Sequence, residues 1–277
     1  MTFLTACHLG PYAYREGLRL QEGLVLARAG EETGDWLLFP DHAPVLTMGR
    51  GGSPASLRVD AARLERLGIE LFEVARGGDI TWHGPGQLVG YLICDLASRG
   101  RDTHRFLRSI EQGLIETLGR FGIAAGTAPG RTGVWVSDEK IASIGVAVRR
   151  WVSYHGFALN VAPDLGYFDL IHPCGLEGVR MTSMARLLGA QAPPIERVRD
   201  VAAREMAAAL GYRSLTWVPR ELAERFLPGE EARSSDAETT AAAARRQEPT
   251  PSGRAIEPGA AAVREGATAP RHEGEAA

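Results

Sequence analysis

The chain has 277 residues, 44% of them hydrophobic and 23% charged, with a formal net charge of −3. That balance fits a soluble globular protein with a sizeable core. Residues 229–277 hold 6 Arg against 9 Asp and Glu and so carry the whole net charge, leaving residues 1–228 neutral, without the basic surplus of a nucleic-acid-binding domain.

No apolar run approaches the ~20 residues that span a bilayer. The opening MTFLTACHLGPYAYREG lacks the basic start and apolar stretch of a secretory signal, so no membrane segment and no export are expected. Cys7, Cys94 and Cys174 are odd in number and lack CxxC spacing, which argues against a disulfide framework or a thiolate metal site. A reducing, cytoplasmic setting is expected.

In chain order, residues 11–28 read as a helix with Tyr14, Leu18 and Val25 on one side, and 36–40 and 43–49 as strands. Asp60–Leu67 reads as a short helix followed by a strand over Ile69–Ala75. RGGDITWHGPGQLVGY, residues 76–91, reads as a loop before the apolar strand LVGYLICDL. Residues 104–121 place Phe106, Ile110, Leu114, Leu118 and Phe121 at three- and four-residue steps, the mark of an amphipathic helix. Residues 133–161 then turn β-rich, with a tight turn at Asp138-Glu139-Lys140 between two strands and a third strand near His155–Val161. A last helix covers about 196–210. The chain is therefore α/β, a mixed sheet flanked by helices whose antiparallel part is the 133–161 meander. From 229 onward only Ile256 and Val263 are large aliphatics and no residue is aromatic. A segment of that kind does not bury enough apolar surface to offset its chain entropy. The expected division is a folded domain over 1–228 and a disordered acidic tail over 229–277.

Three stretches carry chemistry. In 76–91, five glycines and a proline let the backbone approach a ligand closely, with Arg76, Thr81, His83 and Gln87 as polar decoration. Neither GxGxxG at a helix start nor GxxxxGK[ST] is present there, so a nucleotide phosphate site finds no support. In GRTGVWVSDEKIASIG, residues 130–145, stands Lys140, the single lysine beside 30 arginines. An arginine stays charged, whereas a lysine amine can give up its proton and act as a base or tune a thiol. A turn lysine is also often solvated and idle. In DLIHPCGL, residues 169–176, Cys174 lies between Pro173 and Gly175. It reads either as an inert space-filling thiol, the commoner case, or as a nucleophile on a sharp turn. A lysine ammonium beside it would favour the thiolate. His172, Cys174, Cys7, His8 and His83 make no credible zinc set. His83 and His155 read as orienting or substrate-contacting groups, or as plain structural ones.

RGGDITWHGPGQ, GVWVSDEKIASIGVAVRRWVSYHGFALNV and PCGL resemble, in order and spacing, the signature blocks of the bacterial lipoyl(octanoyl) transferase family, over about residues 35–185. The joint occurrence of three blocks makes the resemblance specific. It implies the mixed α/β fold of biotin and lipoate protein ligase catalytic domains. It also implies transfer of an octanoyl or lipoyl group from acyl carrier protein to a lysine of lipoyl domains of 2-oxoacid dehydrogenases or of glycine-cleavage H protein. By the same resemblance Cys174 holds the acyl chain as a thioester and Lys140 lowers its pKa. The substrate site comprises Arg76, Gly77, Gly78, Asp79 and Ile80 with Thr81, Trp82 and His83. Ser143, Ile144 and Gly145, and Gly156, Phe157 and Ala158, complete it. Trp82 stands where the family often has tyrosine. No metal and no cofactor is implied. Two rivals share the fold: an ATP-dependent lipoate ligase, which needs the lysine but no cysteine nucleophile, and a non-catalytic acyl-binding module.

Overall fold

A computed structural model describes residues 3–172 and 179–229. Cys174, Pro173, Gly175 and the tail from 230 onward lie outside the described residues. So does any test of the tail's expected disorder.

Twelve strands and six α-helices are formed among the described residues. The strands are β1 (Phe3–Pro11), β2 (Asp35–Asp41), β3 (Val45–Met48), β4 (Glu70–Glu73), β5 (Ile80–His83), β6 (Gln87–Ile93), β7 (Gly126–Ala128), β8 (Arg131–Val136), β9 (Glu139–Arg149), β10 (Val152–Asn160), β11 (Arg180–Met181) and β12 (Ser214–Trp217). The helices are α1 (Tyr14–Ala29), α2 (Ala61–Arg66), α3 (Thr103–Gly119), α4 (Met184–Leu188), α5 (Ile195–Ala209) and α6 (Arg220–Glu224). The main sheet runs β12-β1-β2-β6-β10-β9-β8-β7, with β11 added beside β9, and a small sheet runs β4-β3-β5. Its β12-β1-β2 end is parallel and its β2-to-β7 part antiparallel. This is the expected mixed sheet.

Side chains alternate across a strand, so each buried strand feeds two cores. Leu37 and Phe39 of β2, with Leu88 and Leu92 of β6, join the cluster under α3 and α5. Trp36 and Leu38, with Val89, Tyr91 and Ile93, join the cluster under α1. Helices thus flank both faces. A third cluster fills the small sheet around Leu46, Ile80 and Trp82. Helix α3 buries Phe106, Ile110, Leu114 and Leu118, the stripe its sequence spacing gives, and Asp102 caps it by accepting from the Arg105 N–H.

Two local expectations are corrected. Residues 76–91 are not one loop: Ile80–His83 pair with β3, and β6 begins at Gln87. The glycines of that stretch hid a four-residue strand between two short connections. Lys140 is not a turn residue either. The turn is Ser137-Asp138, with Ser137 at φ 54, and Lys140 is the second residue of β9.

Candidate active site

One cavity lies where β5 and the segment before it meet β6, β9, β10 and Tyr14 of α1. The register of β9 and β10 sets Ser143 opposite Ala158 and Gly145 opposite Gly156. Four small residues thus share one patch of sheet beneath the cavity. Gly78, Asp79, Ile80, Thr81 and His83 close the cavity from the small-sheet side, and Ile144 and Phe157 also line it. Arg76 lies on the wall as well, buried, and its guanidinium shapes its own loop. It donates to the Thr47 carbonyl at 2.6 Å, to Thr47 Oγ1 at 2.8 Å and to the Asp79 carbonyl at 2.8 Å. The Gly77 N–H donates to the Val146 carbonyl at 2.9 Å, which pins this loop to β9.

Two residues of the expected set do not line the cavity. Gly77 holds the loop through its backbone only. Trp82 is fully buried on the far side of β5, its ring stacked on Tyr167 at 4.9 Å between centroids. Alternation along a four-residue strand accounts for it: Thr81 and His83 face the cavity, so Trp82 faces the third core.

Lys140 reaches the cavity although only 3% exposed. Its ammonium lies 5.5 Å from the centre of the Trp135 ring, a cation–π contact. Gly133, at φ +124, makes the space. A Cβ there would come 2.6 Å from Lys140 Cε and 2.6 Å from the Ala142 carbonyl oxygen. Cys174 lies outside the described residues, so its distance to Lys140 is not part of this geometry. The segments on both sides of it are ordered around the site. His172 N–H donates to the Ser56 carbonyl at 2.8 Å, and Thr182 N–H to the Lys140 carbonyl at 2.9 Å.

The histidines of the site are neutral. His83 Nδ1–H donates to Gln87 Oε1 at 2.8 Å, and burial pushes its pKa down to about 3. His42 Nδ1–H donates to the Tyr12 carbonyl at 2.8 Å, while Nε2 accepts from the Tyr91 hydroxyl at 2.6 Å. Burial lowers its pKa to about 4. His155, likewise lowered to about 3 by burial, sits at φ 58, and its N–H donates to the buried Gln21 Oε1 at 2.7 Å. A left-handed, non-glycine residue persists only where its surroundings over-determine it, as sites often do. Tyr14, Val89 and Tyr91 also line the cavity. Sequence reasoning placed Tyr14 on an apolar helix stripe and Tyr91 in an apolar strand. Nothing in the pattern separates a tyrosine facing a cavity from one in the core.

Among the described residues no cluster of His, Cys, Asp or Glu has the geometry to hold a metal ion, and no helix is long and apolar enough to cross a membrane. The cavity joins a buried primary amine, neutral imidazoles and a small-residue floor, a setting suited to acyl or phosphate-bearing ligands.

Residues 13–207 match the family of the lipoyl protein ligase A/B catalytic domain. A Geobacter sp. (strain M21) protein named octanoyltransferase is 51% identical over 183 residues, covering 65% of this chain and 85% of that one. Its namesake from Geobacter metallireducens is 46% identical over 196 residues, 71% of this chain and 89% of that one. Among solved structures, lipoate-protein ligase A bound with ATP superposes with a TM-score of 0.61 at 17% identity, over 82% of this chain and 94% of that one. The bipartite lipoate protein ligase of Thermoplasma acidophilum gives 0.60 at 18%, over 82% and 92%. At such identities the likeness is one of fold.

Proposed function

This chain belongs to the family of the lipoyl protein ligase A/B catalytic domain, and on that premise we propose that it is an acyltransferase. It moves an octanoyl or lipoyl group from acyl carrier protein to a lysine of lipoyl-domain proteins through a thioester on Cys174. The acceptors are the lipoyl domains of 2-oxoacid dehydrogenases and glycine-cleavage H protein. The catalytic unit is residues 1–228, acting in the cytoplasm.

The observation that carries this reading is the placement of the chain's one lysine. A primary amine 3% exposed, in a cavity wall, with a glycine opposite to admit it, is costly to bury without a task. The relatives that carry the name octanoyltransferase support the transferase over the ligase.

The chemistry is two acyl transfers. Cys174 gives its proton to the Lys140 amine, and the thiolate sulfur attacks the donor's thioester carbonyl. The carbonyl electron pair moves to oxygen and returns, the donor carbon–sulfur bond breaks, and the departing thiolate takes the proton from Lys140. In the second half an acceptor amine attacks the Cys174 thioester. The amide forms as the Cys174 carbon–sulfur bond breaks, and the amine's surplus proton passes to Lys140. The ammonium and thiolate left behind are the reactive pair for the next round.

Incubating the protein with octanoyl-acyl carrier protein, without ATP, and weighing it tests the scheme. An octanoyl adduct that is lost in Cys174→Ser is expected. Modification of a lipoyl domain only when ATP is added, or at the normal rate by Cys174→Ser, would refute it.

A further inference from the structure

A carboxylate buried in a helix's apolar face is costly unless specific partners hold it, and an apolar side chain of similar size would pack there without that cost. Helix α3 buries such a group. Glu111 is 1% exposed and is buried together with Phe106, Ile110, Leu114 and Leu118. The half-exposed stem of Arg108, one turn earlier, brings its guanidinium to Glu111 Oε2. Glu111 does not line the cavity.

Its other oxygen reaches the frame of the site. Glu111 Oε1 accepts from the Gly133 N–H at 3.0 Å. Regular pairing breaks around Gly133: β8 shifts register against β9 between Val134 and Trp135, and β7 shifts against β8 between Gly126 and Ala128. Such breaks disrupt the ladder locally and re-aim side chains, often beside active sites. The residue of β9 at this break is Lys140, opposite Trp135. Its ammonium lies 5.5 Å from the centre of the Trp135 ring. Gly133 is so close that an added Cβ would stand 2.6 Å from Lys140 Cε and 3.3 Å from Nζ. The backbone of Gly133, at φ +124, sets that fit, and the Glu111 hydrogen bond ties its peptide to α3.

We propose that Glu111 is a positioning residue for Lys140: it fixes the Gly133 peptide against α3, and Gly133 keeps open the slot through which the lysine stem reaches the cavity. The value of that placement to turnover rests on the acyl-transfer reading above. The placement itself does not. Glu111 acts through one glycine and touches no reacting atom. Without its acceptor the Gly133 N–H would be buried and unpaired, a state that folded proteins avoid. The peptide then turns toward another partner, the slot narrows, and the amine moves off the Trp135 face.

The single lysine of the chain makes the test direct. Lysine labelled with 13C at the ε-carbon gives one side-chain NMR signal, and the Trp135 ring face shifts its protons upfield of free lysine. Glu111→Gln keeps an acceptor oxygen for Gly133 and is expected to keep that shift. It should also transfer octanoyl from acyl carrier protein to a lipoyl domain within about threefold of the parent, since the hydrogen bond is retained. Glu111→Met keeps the bulk and loses the acceptor. Its lysine signal is expected to move to the free-lysine position. Its kcat should fall about 100-fold with the KM for the donor unchanged, the cost of a group displaced by about an ångström. A tie that served the fold alone would lower the urea midpoint of the methionine variant and leave the lysine signal in place. If methionine prevents folding, Glu111→Asp, one methylene short of Gly133, is read instead with the same expectations. Four results would overturn the inference: a parental lysine signal without the acceptor, a displaced signal with parental kcat, a glutamine variant displaced as far as methionine, or failure of both methionine and aspartate variants to fold. A parental protein that transfers no octanoyl refutes the acyl-transfer reading, while the lysine signal still decides whether Glu111 places the amine.

Discussion

Lys140 is singular in the sequence, but what makes it usable is a residue that the sequence reading left unmarked. Gly133 stands across from it at a backbone angle that side chains avoid, and any Cβ would collide with both the lysine stem and a carbonyl of β9. Gly133→Ala is therefore expected to lower stability by about 1–3 kcal/mol through overpacking, read as the midpoint of urea unfolding. It should also displace the amine and depress octanoylation more than the stability loss explains. Lys140→Arg separates charge from proton exchange. On the proposed scheme, arginine keeps the cation but holds its proton at any working pH, so turnover should drop about 100- to 10,000-fold, the usual reach of general acid–base catalysis. Steady-state transfer to a lipoyl domain measures it. A variant within tenfold of the parent would mean that only the charge matters.

The elements that frame the site were legible where one period ran long. Helix α3 stands within a residue or two of its expected bounds because its stripe repeats over four turns and Asp102 caps it. Strands β9 and β10 were legible from β-branched content. Strand β5 was not, since Gly and polar neighbours surround four residues whose partner, β3, lies some thirty residues upstream. Strands β1 and β12 pair in parallel across the whole chain, a contact that no local pattern encodes. Trp82 was misplaced for the same reason: without the strand there is no alternation to assign it a face. Where β10 crosses β6 the strands leave no room for a side chain, since a Cβ on Gly156 would stand 2.2 Å from the Gly90 carbonyl oxygen. Gly156→Ala must push the two central strands apart beneath the cavity. It is expected to cost at least the ~1–3 kcal/mol of an overpacked core and to abolish acyl transfer. Gly119, at the end of α3, has nothing within 4 Å of an added Cβ. Gly119→Ala should stabilise by about 0.4–1 kcal/mol through the unfolded chain's lost freedom. Chemical unfolding of both variants checks the contrast, and equal shifts would contradict it.

Over the whole molecule the three buried imidazoles couple stability to pH. His42 is lowered to about 4 and His83 and His155 to about 3, each by burial, whereas the unfolded chain protonates them near ~6.5. Folding therefore favours the neutral rings, and the penalty appears below the unfolded value. Above pH ~6.5 both states hold no proton on these rings and the contribution is flat. Between ~6.5 and ~4 the unfolded state binds up to three more protons, so stability should fall by about 4 kcal/mol per pH unit at most. Carboxylates also titrate toward the lower end, and a single-site variant isolates the imidazole share. His155 sits at φ 58, a conformation that asparagine tolerates better than most residues. His155→Asn thus removes one titrating group at modest conformational cost. Its unfolding free energy, measured by urea from pH 7 to 5, should decline less steeply than the parent's by about 1 kcal/mol per unit on average, approaching the ~1.4 kcal/mol of one proton near pH 5. The two slopes coinciding would place His155 in water rather than in the interior. The acid sensitivity would then have to come from elsewhere than the cavity that His83 and His155 line.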